Sequence, residues 1–384
     1  MTHSKIRIIL VLTILATLTL LFSSCEPAEE EGTIRIGQIT NRTGDTSDVG
    51  IPLADGARDA WNWINNELGG VRGRPVRLIE REAGYNVPRT IALFRELTGD
   101  YGVQLIHGFG TPDSEAVMEL AARQKVVYMP TSYDERFVNP EIAPYFFITN
   151  ADYSTAGRSA VRYVAEQGAT LGLARSPGGF GMAPIAAIKE EAERQGVAIV
   201  SAQDIEYSPT SAVQQALALR DAGADYIWMG NTHTAMSVLA RDLRRQESDA
   251  ILIGNIYAGD ENFLRTAGAD AEGHLSMYGS VSYGDTSVEI MEAIMAANYH
   301  TPSTHYIRGW AQALLVAEVM GMAIDRELEL TGENLRDMFY ELEDFSPGGL
   351  IPPVNYSPED HRPNSVSSIY QVQNGEWVKI WDEQ

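Results

Sequence analysis

The chain has 384 residues, with 29 Lys+Arg against 52 Asp+Glu, a formal net charge of -23, and a single cysteine. An acidic balance of this size repels nucleic acid and anionic lipid, and one cysteine excludes an internal disulfide framework and a thiol-rich metal site. The composition is otherwise globular, with 44% hydrophobic residues, and suits a soluble two-domain body.

The chain opens with Lys5 and Arg7, an apolar stretch from Ile8 to Phe22 broken only by threonines, and then Ser23-Ser24-Cys25. That is the layout of a secretory signal peptide; an uncleaved anchor is the alternative, although the run falls short of the roughly 20 residues a spanning helix needs. Phe22-Ser23-Ser24-Cys25 resembles a bacterial lipobox, in which the signal is cut before the cysteine and the cysteine is lipidated, with Phe22 departing from the usual aliphatic residue. The resemblance implies a signal over 1-24, lipidation at Cys25 and a solvated leash over 25-32. Loss of the signal removes two positive charges, leaving a net charge of about -25.

From Thr33 onward, strands and helices alternate. "TIRIGQIT" reads as a buried strand, "PLADGARDAWNWINNEL" as an amphipathic helix closed by Gly69-Gly70, and "RPVRLIER", "PRTIALFRELTG", "VQLIHGFG", "DSEAVMELAARQ" and "VVYMPTS" continue the pattern. A second series follows "YFFITNAD", running from helix "TAGRSAVRYVAEQ" through "ATLGLAR", "APIAAIKEEAERQG", "VAIVSAQ", "SAVQQALALRDAG", "ADYIWMGN" and "AMSVLARDLRRQ" to strand "AILIGNIY". Such alternation calls for parallel sheets covered by helices on both faces, with right-handed connections. Ser211 with Gln214 fits a capping box, and Gly196 and Gly223 fit helix stops. Three helices, "SVEIMEAIMAANY", "YIRGWAQALLVAEVMGMAI" and "GENLRDMFYELE", precede two final strands, "SVSSIYQV" and "WVKIWD". Left over at the end, these elements must complete sheets begun earlier. The fold class is therefore α/β, with two doubly wound parallel-sheet lobes and a cleft between them.

"IRIGQITNRTGDTSDVG", Asn65-Asn66-Glu67-Leu68-Gly69-Gly70-Val71-Arg72-Gly73, "HGFGTPDSEAV" and the tail "FSPGGLIPPVNYSPEDHR" with "IYQVQNGEWV" resemble the extracytoplasmic substrate-binding proteins of branched-chain-amino-acid-type ABC transporters. These have the type I periplasmic-binding-protein fold. The resemblance covers nearly all of the mature chain and implies discontinuous lobes, 33-149 plus 283-349 and 150-282 plus 350-384. It implies a small-molecule ligand, permease subunits as partners, attachment to the membrane through the lipid, an extracytoplasmic location and a monomer. No enzyme activity, cofactor, metal or nucleic-acid partner is expected.

Ligands of open parallel sheets bind beyond the carboxyl ends of the strands, where helix N-termini present unpaired N–H groups. In the first lobe this selects Gly110, Thr111, Pro112, Asp113 and Ser114, then Thr131, Ser132 and Tyr133. By the resemblance, such hydroxyls and amides hold a ligand carboxylate. Asp113 would repel one unless it turns away to cap its helix. In the second lobe the candidates are Tyr153, Phe180, Asn231, Asn255, Ile256 and Tyr257. Amino-acid binders of the family carry tyrosine-glycine where this chain has Phe180-Gly181, and an acidic residue where it has Asn255-Ile256. Burying an unpaired ammonium costs several kcal/mol, on the order of a desolvated charge, so an uncharged or anionic ligand is favoured, aromatic or amide in character. Asp260 lies a few residues further on and is placed to take over if an ammonium binds, and it reads equally as the cap of the next helix.

Other signals are weak. "SPGGFGMAP" lacks the lysine-hydroxyl ending of a phosphate loop, and neither G-x-S-x-G nor H-E-x-x-H occurs. His300 and His305 read as a solvated loop, Asp360-His361 as part of a surface crossing. Trp61, Trp63, Trp228 and Trp310 read as core, with a cleft-lining role open for the last two. A sensory module on the same fold is the rival to a transport receptor, and an enzyme ranks below both.

Overall fold

A computed structural model describes residues 32–298 and 301–383. The signal segment, Cys25 and His300 lie outside the described residues. The first sheet is wholly parallel, in the order β2-β1-β3-β4, from β1 (Ile34–Thr40), β2 (Val76–Glu82), β3 (Leu105–His107) and β4 (Val127–Met129). Ile36 and Ile39 of β1 are at most 1% exposed, since helices cover the sheet and both faces of the strand are apolar. The connecting helices are α1 (Ser47–Glu67), α2 (Val87–Gly99) and α3 (Thr111–Gln124). Helix α1 begins five residues before the apolar pattern suggested and carries Pro52 within it.

The second sheet has seven strands, ordered β11-β10-β9-β8-β7-β5-β6: β5 (Leu171–Arg175), β6 (Ile199–Asp204), β7 (Tyr226–Gly230), β8 (Ile251–Gly254), β9 (Leu275–Tyr278), β10 (Ser368–Gln373) and β11 (Glu376–Asp382). β5 to β9 are parallel, whereas β10 and β11 join antiparallel at one edge, so the chain end completes a sheet begun some 200 residues earlier. Around it lie α4 (Tyr153–Glu166), α5 (Gly179–Met182), α6 (Ile185–Gln195), α7 (Val213–Asp221), α8 (His233–Arg245) and α9 (Glu261–Ala267). Gly196 ends α6 at φ 71°, and Gly223, at φ 72°, follows α7. The expected capping box does not form: Asp242 takes the Ala212 N–H at 2.7 Å, and α7 starts two residues beyond Ser211.

Between β9 and β10 of the second sheet come α10 (Met291–Ala297), α11 (Thr304–Asp325) and α12 (Gly332–Phe339). Helix α10 is shorter than its sequence pattern, because residues 285–290 form turns tied by the Asp285 side chain. Helix α11 is long and apolar enough to cross a membrane, yet it is a core helix, with Tyr306, Ile307, Trp310, Val316 and Val319 unexposed in the cluster that also holds Trp61 and Ile64. It crosses α1 where two glycines meet. A Cβ on Gly56 would stand 2.1 Å from the Tyr306 carbonyl oxygen, and one on Gly309 2.3 Å from that of Leu53.

Candidate ligand-binding site

The carboxyl ends of both sheets face one cavity. Thr46 and Val49 approach it from the start of α1, Tyr85 from beyond β2, and Phe109, Gly110 and Thr111 from beyond β3. Thr131 and Ser132 follow β4, while Tyr153, Phe180, Thr232 and Tyr257 come from the second lobe. The cavity holds about 300 Å³ of space not filled by atoms, of which only about 30 Å³ is open to the centre of a water molecule. Aromatic rings make it narrow. Tyr85 meets Tyr207 edge-on at 5.8 Å, Phe180 stacks on Tyr207 at 6.4 Å, and Tyr153 meets Phe180 at 5.5 Å.

Tyr85 owes its place to a left-handed backbone (φ 55°), and Gly110 is required beneath it, since a Cβ there would lie 2.1 Å from the Tyr85 ring. Opposite the rings, Thr111 Oγ1 and Ser132 Oγ share a hydrogen bond of 2.7 Å. In the first turn of α3 the Thr111 and Asp113 N–H groups have no intrahelical acceptor, whereas Pro112 has no N–H and the Ser114 N–H donates to the Gly110 carbonyl at 2.9 Å. No charged side chain is among the described residues lining the cavity. Burial raises Tyr85, Tyr153 and Tyr257 above the usual phenol range, so all three hydroxyls stay neutral.

Seven of the fourteen residues selected from the sequence thus meet around one space: Gly110, Thr111, Thr131, Ser132, Tyr153, Phe180 and Tyr257. The others stand behind it. Pro112, Asp113 and Ser114 belong to the first turn of α3, where Ser114 Oγ faces the Phe109 carbonyl at 3.4 Å. Asp113 does not cap the helix; Gly110 occupies that position, and both Asp113 carboxylate oxygens are buried without a hydrogen-bond partner. Burial pushes its carboxyl up to about 6. Tyr133 stacks on Tyr257 at 5.8 Å and backs the cavity. Asn231 and Asn255 shape their loops: Asn231 Nδ2 donates to the Ile205 carbonyl at 2.8 Å, and Asn255 Oδ1 accepts from the Tyr257 N–H at 2.7 Å. Ile256 lines a neighbouring space with Trp228. Asp260 caps α9, accepting from the Phe263 N–H at 3.0 Å. Thr46, Val49, Tyr85, Phe109 and Thr232 were missed, although the strand-end rule, applied to every strand, points to them.

The lobes are latched across this cavity. The Tyr257 hydroxyl donates to the Thr131 carbonyl, Arg308 Nη1 to the Ile256 carbonyl at 2.7 Å, and the Thr232 and Thr234 hydroxyls to Asp48 Oδ2 at 2.7 and 2.6 Å. Trp228 and Trp310 are core residues, at most 1% exposed, and do not line the cavity. His305 is not in a solvated loop; it is unexposed in the first turn of α11, and burial holds it well below the usual imidazole range. His361 is not at the surface either: it bonds the Phe146 carbonyl at 2.8 Å and the Tyr340 hydroxyl at 2.9 Å. A larger groove of about 920 Å³ opens elsewhere, where both lining arginines are already ion-paired, Arg136 with Asp134 at 2.6 Å and Arg362 with Asp360 at 3.2 Å.

A family model described as periplasmic binding protein matches residues 33–376. No curated protein sequence matches the chain. Among solved structures, a branched chain amino acid ABC transporter protein from Thermus thermophilus with bound valine superposes with a TM-score of 0.86 at 21% identity, over 91% of this chain and 96% of that one. An ABC transporter substrate binding protein from Aeropyrum pernix gives 0.84 at 27% identity, over 91% and 95%. A fatty acid ABC transporter substrate-binding protein from Thermomonospora curvata gives 0.81 at 20% identity, over 92% of both chains. With two parallel-sheet lobes closing on one cavity and a family match over nearly the whole body, the chain belongs to the periplasmic binding proteins and has their type I fold.

Proposed function

We propose that the chain is an extracytoplasmic solute-binding lipoprotein, tethered at Cys25, that captures a small organic ligand between its lobes and delivers it to an ABC-transporter permease. The lobes are 33–149 with 283–349 and 150–282 with 350–384, and the protein is a monomer that makes or breaks no bond in its ligand. One observation carries the ligand class: a cavity of hydroxyls, helix-start amides and aromatic rings without a charged side chain. The helix start and the Thr111–Ser132 hydroxyl pair suit a carboxylate or amide oxygen, and the rings suit a flat apolar body. An α-ammonium has no carboxylate to meet at the cavity wall. The ligand is therefore an aromatic acid or an amide ahead of an ordinary amino acid.

Because the rings nearly fill the closed cavity, a ligand must enter while the lobes are apart, and its contacts then favour closure. A permease that prefers the closed form thereby selects loaded protein. The test is a thermal-shift screen against aromatic acids, amides, short dicarboxylates and amino acids. A ligand at a hundred times its dissociation constant adds about 2.7 kcal/mol. A shift confined to ligands without an ammonium supports the proposal, whereas one with leucine or valine overturns the ligand class. The second reading is a sensory module, favoured by the structural likeness to an extracellular ligand-binding receptor from Rhodopseudomonas palustris HaA2. Neighbouring genes for permeases and ATPases decide for transport, and a neighbouring kinase or chemoreceptor decides for sensing.

A further inference from the structure

Beside the cavity, three buried side chains from both lobes converge: His233 and Asp260 from the second, His305 from the start of α11 in the first. His233 Nδ1 stands 3.6 Å from Asp260 Oδ1, and His305 Nε2 stands 3.4 Å from Asp260 Oδ2. These spacings are long for hydrogen bonds, and neither ring nitrogen has any hydrogen-bond partner despite full burial. They match the edge of a metal coordination shell, in which two donors about 2.1 Å from a tetrahedral ion lie about 3.4 Å apart. One imidazole or carboxylate atom from each residue falls within 4.8 Å of the others.

From this geometry we infer that His233, Asp260 and His305 form a binding site for a divalent transition-metal ion of the zinc class, held between the lobes. The surroundings prepare it. Asp48 Oδ2 lies 3.7 Å from His233 Nε2 and puts a carboxylate on the far side of the ring, which favours the tautomer that leaves Nδ1 free towards the centre. Asp48 is itself fixed by the Thr232 and Thr234 hydroxyls. Asp260 is oriented by the Phe263 N–H and by Asn262 Nδ2 at 2.8 Å. Glu261, the next carboxylate, is taken up by the Thr304 N–H and hydroxyl. Among the described residues Arg308 is the cation against these groups, with Nη1 3.2 Å from His305 Nδ1. A metal on Nε2 places the ring's proton on Nδ1, so Arg308 gives up that contact and keeps its shorter bond to the Ile256 carbonyl. Three carboxylates against one guanidinium leave the cluster two charges negative, which suits a divalent cation and two neutral imidazoles.

Cobalt(II) titrated into the chelator-treated whole chain tests the site, since a nitrogen-rich tetrahedral ion gives intense visible absorption. One Co2+ per chain is expected, displaced by Zn2+, with at least tenfold weaker binding in His233→Gln and in His305→Gln. Absence of stoichiometric binding, or undiminished binding in both variants, overturns the inference. Should the variants fail to fold, X-ray absorption on the wild-type Zn2+ complex decides: two imidazoles in the first shell support the site, and a shell without imidazole refutes it.

Discussion

Asp113 offers a direct measure of what burial costs inside the first lobe. Its carboxylate is unexposed, neither oxygen has a partner, and its carboxyl is pushed from 3.8 up to about 6. Burial is the main cause, opposed only in part by the nearby Thr90 hydroxyl, whose own hydrogen bond goes to the Asn86 carbonyl at 3.2 Å. The sign follows from linkage. With the folded value above the unfolded one, the folded chain holds this proton more tightly. The resulting stability is fully present below the unfolded value and is lost as pH rises through about 6. A rise of about two units corresponds to about 3 kcal/mol. Asp113→Asn removes the ionisation but leaves amide donors without partners, at a cost of about 1–3 kcal/mol that does not depend on pH. The decisive quantity is therefore the slope. Urea unfolding of both proteins from about pH 4 to pH 8 should show the variant gaining about 2.4 kcal/mol relative to wild type across that range, the remainder lying below pH 4. A difference that stays flat with pH would mean the carboxylate is solvated or paired, and the account of burial at the start of α3 would fail.

Other outcomes are open to measurement. Gly309→Ala should destabilise the fold by about 2 kcal/mol in urea melts, although alanine is the better helix former, because its methyl group meets the Leu53 carbonyl in the α1–α11 crossing. Tyr257→Phe removes the hydroxyl that reaches the Thr131 carbonyl, a loss of about 1 kcal/mol from the closed form; small-angle scattering of the unliganded protein should then report a larger radius of gyration. His107, His274 and His361 are lowered by burial to about 3, 4 and 4, so each must take up a proton on unfolding in mild acid. Stability should accordingly fall as pH drops from about 6.5 to 4, and Asp113→Asn, free of the opposing carboxylate effect, should show the steeper fall.

Strands and most helices were legible in the sequence because apolar runs between helical repeats leave a parallel sheet as the arrangement that buries both faces. That the two final strands complete a sheet begun earlier followed from the same need, since elements at the end of a chain must find an open sheet edge, but their antiparallel direction was not foreseen. Legibility ended where partners distant in sequence decide. The Ser211 capping box lost to Asp242, a carboxylate 31 residues away. Tyr85 was overlooked because the strand-end rule was followed after β3 and β4 but not after β2, and its left-handed turn carries no pattern of its own. The strand-end rule found Thr111, Ser132 and Tyr257 directly, but it could not separate Asn255, which braces its own loop, from Tyr257, which faces the cavity. His233, Asp260 and His305 are spread over 73 positions and meet only in the fold.

The latches described above differ in what they grip. Tyr257 and Arg308 both reach across to main-chain carbonyls, of Thr131 and Ile256. A carbonyl survives any side-chain replacement at its own position. Substitution of the lining side chain at 131, or of the one at 256 behind it, therefore leaves the acceptors in place, and selection is free to retune the cavity for a new solute while the closing contacts persist. Ligand preference and lobe closure can in this way drift at separate rates, which gives one scaffold room to diversify its cargo without relearning how to shut.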